Sequence, residues 1–152
     1  MRKLYRIASE KFIRDLSGAG AAKYGGRWNP KGTYVLYTAA NPSLAMLEWL
    51  AHTRDRNMDE VYCMATILVP EGAFKTLDIS LLPENWRNNP GPAALLTFGT
   101  NLVTNEQYLG FEVPSVLTPL DYNIILNTQH PLFTKITIEE ITVLEPDTRL
   151  LK

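Results

Sequence analysis

The sequence predicts one α+β domain spanning residues 1–152, in which short strands outnumber helices. Three observations predict it. The chain has 152 residues, 45% apolar and 20% charged, enough to bury about 70% of its unfolded surface in one core. Short runs rich in β-branched and aromatic residues recur along its length, whereas only two stretches carry helix signals. No repeat, low-complexity segment or linker divides the chain.

The elements follow in order. Leu4–Ile7 reads as a first strand, and Ser17–Gly26 as a small-residue stretch too flexible for a regular element. Tyr34–Thr38 reads as a second strand. Asn41 then caps a helix that has Pro42 at its first position and runs to about His52. Val61–Val69 is apolar without alternation, the pattern of a buried central strand. Pro70-Glu71-Gly72 turns the chain, and Phe74–Leu77 reads as the return strand. Pro83–Trp86 is one helical turn, and Gly91–Asn105 a helix beginning near Pro92. Phe111–Leu117 is a strand that Pro114 makes an edge or a bend. Ile124–Leu126, Phe133–Ile138 and Ile141–Leu144 complete the strands.

Composition excludes several functions. Met1–Arg6 lacks the apolar core of a secretory signal, no apolar run reaches membrane-spanning length, and the single Cys63 has no internal disulfide partner. A cytoplasmic protein that does not engage a membrane is the expectation. The net charge of −1 is divided unevenly: residues 1–56 hold ten Lys and Arg against four acids, and the remainder five against twelve. A basic third suits a phosphate-bearing ligand or a docking partner, and equally an uneven surface.

Few residues carry chemistry. His52, His130 and Cys63 have none of the close spacings of a zinc site, so no metal is expected, and Cys63 lies in the most apolar strand as a packing residue. Gly18-Ala19-Gly20 fails the dinucleotide fingerprint, and Gly20 to Gly25 is followed by Gly26 where a P-loop needs lysine. What survives is Gly25-Gly26-Arg27-Trp28-Asn29-Pro30. It reads either as a tight turn with a surface arginine, or as glycines that let backbone approach a ligand beside a guanidinium that forks onto phosphate. Glu48 is the only acid on a helix that is apolar nearly all round and is expected to be buried along with His52. Its carboxylate is either paired with His52 one turn on or facing a cavity. Ser115 follows Pro114 at a strand break, where a serine commonly bonds nearby backbone; Asn123 and His130-Pro131 read first as turn residues. No G-x-S-x-G nucleophile elbow occurs.

Together these residues resemble the RES-domain family, named for arginine, glutamate and serine, the toxin halves of bacterial toxin–antitoxin pairs. The resemblance rests on Tyr5-Arg6-Ile7, on the long block from Gly25 to His52, on Val113 to Asn123, on Gln129-His130-Pro131 and on Asp147 to Leu151. It runs essentially full length, while Arg54–Gly110 matches only in outline: Gly99-Thr100-Asn101-Leu102 lacks the tryptophan of the family's Gly-x-x-Trp.

The resemblance implies an ADP-ribosyltransferase-like fold, a mixed or antiparallel β core with flanking helices. It implies NAD+ as substrate, with no prosthetic group and no metal. By motif it assigns catalytic roles to Arg27, Tyr37, Glu48 and Ser115, and NAD+ contacts to Arg6, Gly25, Gly26, Arg27, Tyr37, Ser115 and Asn123. It further implies a cognate Xre-type helix-turn-helix antitoxin, an oligomeric complex with it, and no direct contact with nucleic acid by this chain.

The chemistry of the implied set is coherent. Nicotinamide departs from NAD+ as a neutral molecule, so one carboxylate suffices where a glycosidase uses two. Glu48 would bond ribose hydroxyls and stabilise oxocarbenium-like charge, Arg27 with Arg6 would hold the diphosphate, Tyr37 would lie against nicotinamide or its ribose, and Ser115 would orient a ribose or amide group. Toxic depletion of NAD+, with water or phosphate as acceptor, is the expected function. A protein ADP-ribosyltransferase shares this donor site. An RNA-acting toxin and a non-catalytic binding module are the readings from other classes.

Overall fold

The computed structural model describes residues 1–52 and 59–151 of the chain. Arg54 and Arg56, counted above in the basic third, lie outside them. Among the described residues, seven strands form one sheet: β1 (Arg2–Ser9), β2 (Val35–Ala39), β3 (Tyr62–Val69), β4 (Phe74–Thr76), β5 (Gly110–Pro114), β6 (Tyr122–Asn127) and β7 (Thr137–Val143). Their spatial order is β4-β5-β6-β2-β1-β3-β7. Every pairing is antiparallel except β4 with β5, so the sheet is mixed. The described residues also form the α-helices α1 (Ala19–Tyr24), α2 (Pro42–His52) and α3 (Leu96–Thr104), with short 3-10 turns elsewhere in the chain.

Strand alternation gives the sheet two differently furnished faces. On one, Leu4, Leu36, Ala65, Ile67, Ile124 and Leu126 pack with Ile13 and Ile136. On the other, Val35, Val113, Phe111 and Ile125 pack with Trp28, Trp86, Leu95 and Leu102, and beside them Ala39 meets Leu44 and Ala45 of α2. Register puts Tyr37 opposite Ile125, and Asn123 opposite both Ala39 and Val113. Tyr37 and Asn123 therefore share the second face, the one that α2 covers.

α2 begins where local chemistry says it should. Asn41 Oδ1 accepts the Leu44 N–H at 2.8 Å, and its amide donates to Asp121 Oδ2 at 2.7 Å, fixing the helix start against the loop before β6. The helix is less buried than its apolar sequence suggests. Leu44, Ala45 and Trp49 face the sheet, Leu47 is 41% exposed, and the side chain of His52 is 76% exposed.

Other elements depart from the sequence reading. The stretch 17–26 contains α1, because its alanines favour helix once Ala22 has a core to enter. β3 lies between two strands as expected, but Cys63, Ala65, Ile67 and Val69 are buried while the alternate residues are half-buried. Its apolar residues on the second face, such as Met64, pack with Ile7 and the buried residues of α2. β4 does not return along β3. It crosses to the far edge of the sheet and pairs parallel to β5, a partner more than thirty residues away. Phe133 belongs to a 3-10 turn (Pro131–Lys135) capped by His130 rather than to a strand. The two last strands are one, β7, whose pairing with β3 shifts register between Thr66 and Ile67 with Glu139 as the extra residue. β5 ends at Pro114 with β6 beside it, so Pro114 terminates the strand rather than bending it.

Candidate active site

Arg27 is presented by a tight turn. The N–H of Gly26 donates to the Asn29 carbonyl at 3.0 Å, closing the four residues into a loop with Arg27 and Trp28 at its tip. Both flanks are anchored. The Trp28 ring is buried edge-on to Phe98 at 5.7 Å, and α3 braces the turn from behind through the Gly99 N–H to the Trp28 carbonyl at 2.7 Å. A Cβ on Gly99 would stand within 2.8 Å of Asn29 Cβ, so α3 approaches this closely only with glycine there. Leu102, where the family's tryptophan would fall, is fully buried in the core behind the turn.

Asn29 and Tyr37 lock the turn to β2. The Tyr37 hydroxyl donates to Asn29 Oδ1 at 2.6 Å and accepts the Trp28 N–H at 3.2 Å. The Asn29 amide donates to the carbonyls of Ala21, Pro30 and Thr33, which leaves this fully buried side chain satisfied. Burial pushes the Tyr37 phenol up to about 12, partly opposed by the Trp28 N–H and the charge of Arg27, so it stays a neutral donor.

The glycines serve this geometry. Gly25 caps α1 with φ of 72°, in the left-handed region that glycine adopts freely. A Cβ on Gly26 would lie 2.6 Å from the Tyr37 hydroxyl and 2.9 Å from Asn29 Oδ1. The protein's own Tyr37 thus makes a close approach at Gly26, within a tight turn.

Glu48 is the convergence point. Its Oε1 accepts from Ser115 Oγ at 2.9 Å and from Asn123 Nδ2 at 2.7 Å, and its Oε2 meets His52 Nε2 at 3.2 Å. Burial alone would raise its pKa, but the bonds from His52, Asn123 and Ser115 outweigh that, and the carboxyl titrates below its ordinary value of 4.5. His52 is raised above 6.5 chiefly by its bond to Glu48, with burial and Arg27 opposing. Ser115 is itself pinned: its oxygen accepts the N–H groups of Leu117 and Thr118, so the hydroxyl proton is free to point at Glu48. The pairing of Glu48 with His52 is thus made on one oxygen, while Ser115 and Asn123 bond the other.

Arg27 completes the group. Its Nη1 donates to the carbonyls of Trp86 and Asn88, both at 2.8 Å. Burial lowers its pKa while the negative charge of Glu48 opposes that, so Arg27 lies within electrostatic reach of the carboxylate. Ser115, Asn123 and His52 thus gather on Glu48, while Gly25, Gly26 and Tyr37 shape the turn that carries Arg27, within electrostatic reach of that carboxylate.

Arg6 is not part of this group. It pairs with Ala65 of β3 and, two residues from Leu4, shares the Leu4 face, which places it on the opposite side of the sheet from Tyr37 and Asn123. There its Nη1 donates to the carbonyls of Phe12 and Ile13 at 3.3 and 2.8 Å, tying down the loop after β1. Sequence reading gave Asn29 no role of its own, since nothing in Arg27-Trp28-Asn29-Pro30 shows that its side chain meets Tyr37. Among the described residues, no group of three or more His, Cys, Asp or Glu is placed to hold a metal ion. A hollow of about 430 Å³ lined by Thr76–Ile79 and Tyr122 shares no residue with the Glu48 cluster.

A mixed sheet carrying this arginine, glutamate and serine arrangement defines a protein class, and comparison of the whole chain agrees. Residues 3–150 match the RES domain, and the chain belongs to that family. It is 38% identical over 131 residues to "Toxin Res" of Yersinia enterocolitica, covering 86% of each chain. It is 36% identical to "Toxin Res" of Photorhabdus laumondii over 134 residues, 87% of this chain and 85% of that one. A third relative, the "Prs ADP-ribosylating toxin" of a Sphingobium species, is 32% identical over 77% of this chain and 74% of its own. Among solved structures, the fold matches a chain of the M. tuberculosis MbcT–MbcA toxin–antitoxin complex with a TM-score of 0.80. That match has 19% identity and covers 99% of this chain and 87% of the other. The single-domain α+β architecture with a mixed sheet, expected from the sequence, is that of this chain, and the MbcT–MbcA chain shares its fold.

Proposed function

We propose that this chain is the toxin of a toxin–antitoxin pair and that it cleaves NAD+ at the nicotinamide–ribose bond. The observation that carries the reading is Glu48: a half-buried carboxylate held ionised by Ser115, Asn123 and His52, with Arg27 and Tyr37 beside it. As nicotinamide leaves, positive charge develops on the ribose, and an ionised, oriented carboxylate stabilises that charge without reorganising. Glu48 needs no proton to give, because the leaving group is neutral. Arg27 offers its remaining guanidinium N–H groups to the diphosphate, and Tyr37, its hydroxyl engaged at Asn29, lies against nicotinamide or its ribose. NAD+ is substrate, and no resident cofactor is assigned.

The acceptor is water or phosphate in this reading. The second reading, transfer of ADP-ribose to a protein, is favoured by the name of the Sphingobium relative. Purified protein incubated with NAD+, with and without phosphate and with a cell extract as acceptor, separates them. Free ADP-ribose or its 1-phosphate is the expected product, and ADP-ribosylated protein with no free sugar product establishes the transferase.

The partner we assign is an Xre-type helix-turn-helix antitoxin, and the compartment the cytoplasm. Among the described residues no helix is long and apolar enough to cross a membrane. Expressed alone, the wild type is expected to arrest growth and lower cellular NAD+. Co-expression of the neighbouring antitoxin gene is expected to restore growth and give a stable complex. Harmless expression of a folded, NAD+-active wild type removes the toxin assignment.

A further inference from the structure

Three consecutive residues, Trp86, Arg87 and Asn88, join the two halves of the candidate site. The carbonyls of Trp86 and Asn88 each accept from Arg27 Nη1. Between them Arg87 points the other way, and its Nε and Nη2 both donate to the Val116 carbonyl, at 3.0 and 2.7 Å. Val116 is the residue after Ser115, whose hydroxyl donates to Glu48. The segment is anchored beneath by Trp86, buried in the core with Trp28 and Leu95. Gly91 lets the chain pass Arg27, since a Cβ there would stand 2.8 Å from its Nη1.

We infer that Arg87 is a positioning residue for the Ser115–Glu48 pair, and that Trp86–Asn88 is a cross-tie coupling it to Arg27. The inference rests on the NAD+-cleaving reading above. Among the described residues, the other hydrogen bonds of the loop from Ser115 to Asp121 run within it and to α2 and its cap: Ser115 N–H to the Asp121 carbonyl, Leu117 and Thr118 N–H to Ser115 Oγ, Ser115 Oγ to Glu48, and Asn41 to Asp121. The Val116 side chain packs on the core cluster of the second face. Arg87 alone reaches it from the Arg27 wall among the bonds of the described residues. A forked guanidinium on one carbonyl fixes that peptide in direction as well as distance. Rotation of the Val116 peptide would swing Ser115 and draw its hydroxyl off Glu48, so Arg87 acts on the carboxylate through two intervening residues without touching substrate. Such an effect appears in turnover rather than in substrate binding.

The test is a double-mutant cycle on the full chain. Arg87→Ala is expected to lower kcat about tenfold, the factor lost with one charge-assisted bond, while KM changes less than about twofold. Arg87→Lys, which keeps the charge but not the fork, is expected to lie between. In a Ser115→Ala background, Arg87→Ala is expected to cost less than about a further twofold, because the residue it acts through is gone. Amide exchange of Leu117 and Thr118 is read in parallel and needs no turnover; it is expected to accelerate in Arg87→Ala. Unchanged kcat, a rise in KM with kcat intact, or a full tenfold loss persisting in the Ser115→Ala background overturns the inference. So does unaltered exchange at Leu117 and Thr118. A wild type that leaves NAD+ intact while exchange accelerates in Arg87→Ala removes the NAD+ reading and keeps the cross-tie.

Discussion

Substituting Gly26 by alanine separates two reasons for a glycine at this point of the chain. Had it been needed for a ligand, Gly26→Ala would weaken binding and leave the fold alone. The geometry says otherwise. The new methyl would lie 2.6 Å from the Tyr37 hydroxyl and 2.9 Å from Asn29 Oδ1, both well inside van der Waals contact. Neither neighbour yields cheaply: Tyr37 is held in β2 between paired strands, and Asn29 is fixed by three bonds to backbone carbonyls. Overpacking of this kind costs about 1–3 kcal/mol, and breaking the Tyr37–Asn29 bond adds about 1 kcal/mol. A total of about 2–4 kcal/mol lowers Tm by about 5–15 °C in a chain of this size. Thermal and urea denaturation measure it directly. The Tyr37→Phe background supplies a control, because deleting the hydroxyl removes the nearest atom of the clash. The double variant should lose less stability than the two single losses added. A Gly26→Ala protein that melts with wild type, or strict additivity in the double variant, refutes the steric account.

Three further outcomes follow from the same contacts. Glu48→Gln keeps an acceptor oxygen for Ser115 and Asn123, so urea denaturation is expected to place it within about 1 kcal/mol of wild type while turnover falls at least a hundredfold. In pH titrations, Glu48 is held below its ordinary value, so its stabilising contribution is present above 4.5 and is lost as pH falls through the lowered value. That of His52, raised above 6.5, is present below 6.5 and is lost as pH rises through the raised value. His52→Ala should therefore move the Glu48 carboxyl titration, followed by NMR, upward and abolish the alkaline loss. Arg6→Ala is expected to loosen the loop at Phe12 and Ile13, seen as faster amide exchange there, while leaving the KM for NAD+ within about twofold of wild type, because its bonds lie on the opposite face.

What the sequence made legible was local. The start of α2 could be read because Asn41 and Pro42 are a capping signal that needs no tertiary partner, and the strand at 35–39 announced itself by β-branched and aromatic residues. Glu48 stood out because an acid on an apolar helix demands explanation. The turn at Arg27 could be recognised from its two glycines, but not that Gly26 makes room for Tyr37, which depends on a strand residue eleven positions further on. Non-local pairing was hidden for the same reason. Nothing in Phe74–Thr76 says that its partner is Gly110–Glu112 rather than the preceding strand. Arg6 was misplaced because the face a strand residue takes is decided by register against the rest of the sheet. Asn123 read as a turn residue, and only the pairing of β6 with β2 and β5 directs it at the carboxylate of α2.

The central claim is that an ionised Glu48 drives loss of nicotinamide from NAD+. It is tested most directly by measuring nicotinamide release from NAD+ by purified wild type and by Glu48→Gln, with both shown to share one melting transition profile. The account predicts release by the wild type in step with NAD+ loss, and a folded Glu48→Gln protein that releases almost none. Equal release by the two proteins, or NAD+ left intact by a folded wild type, contradicts it.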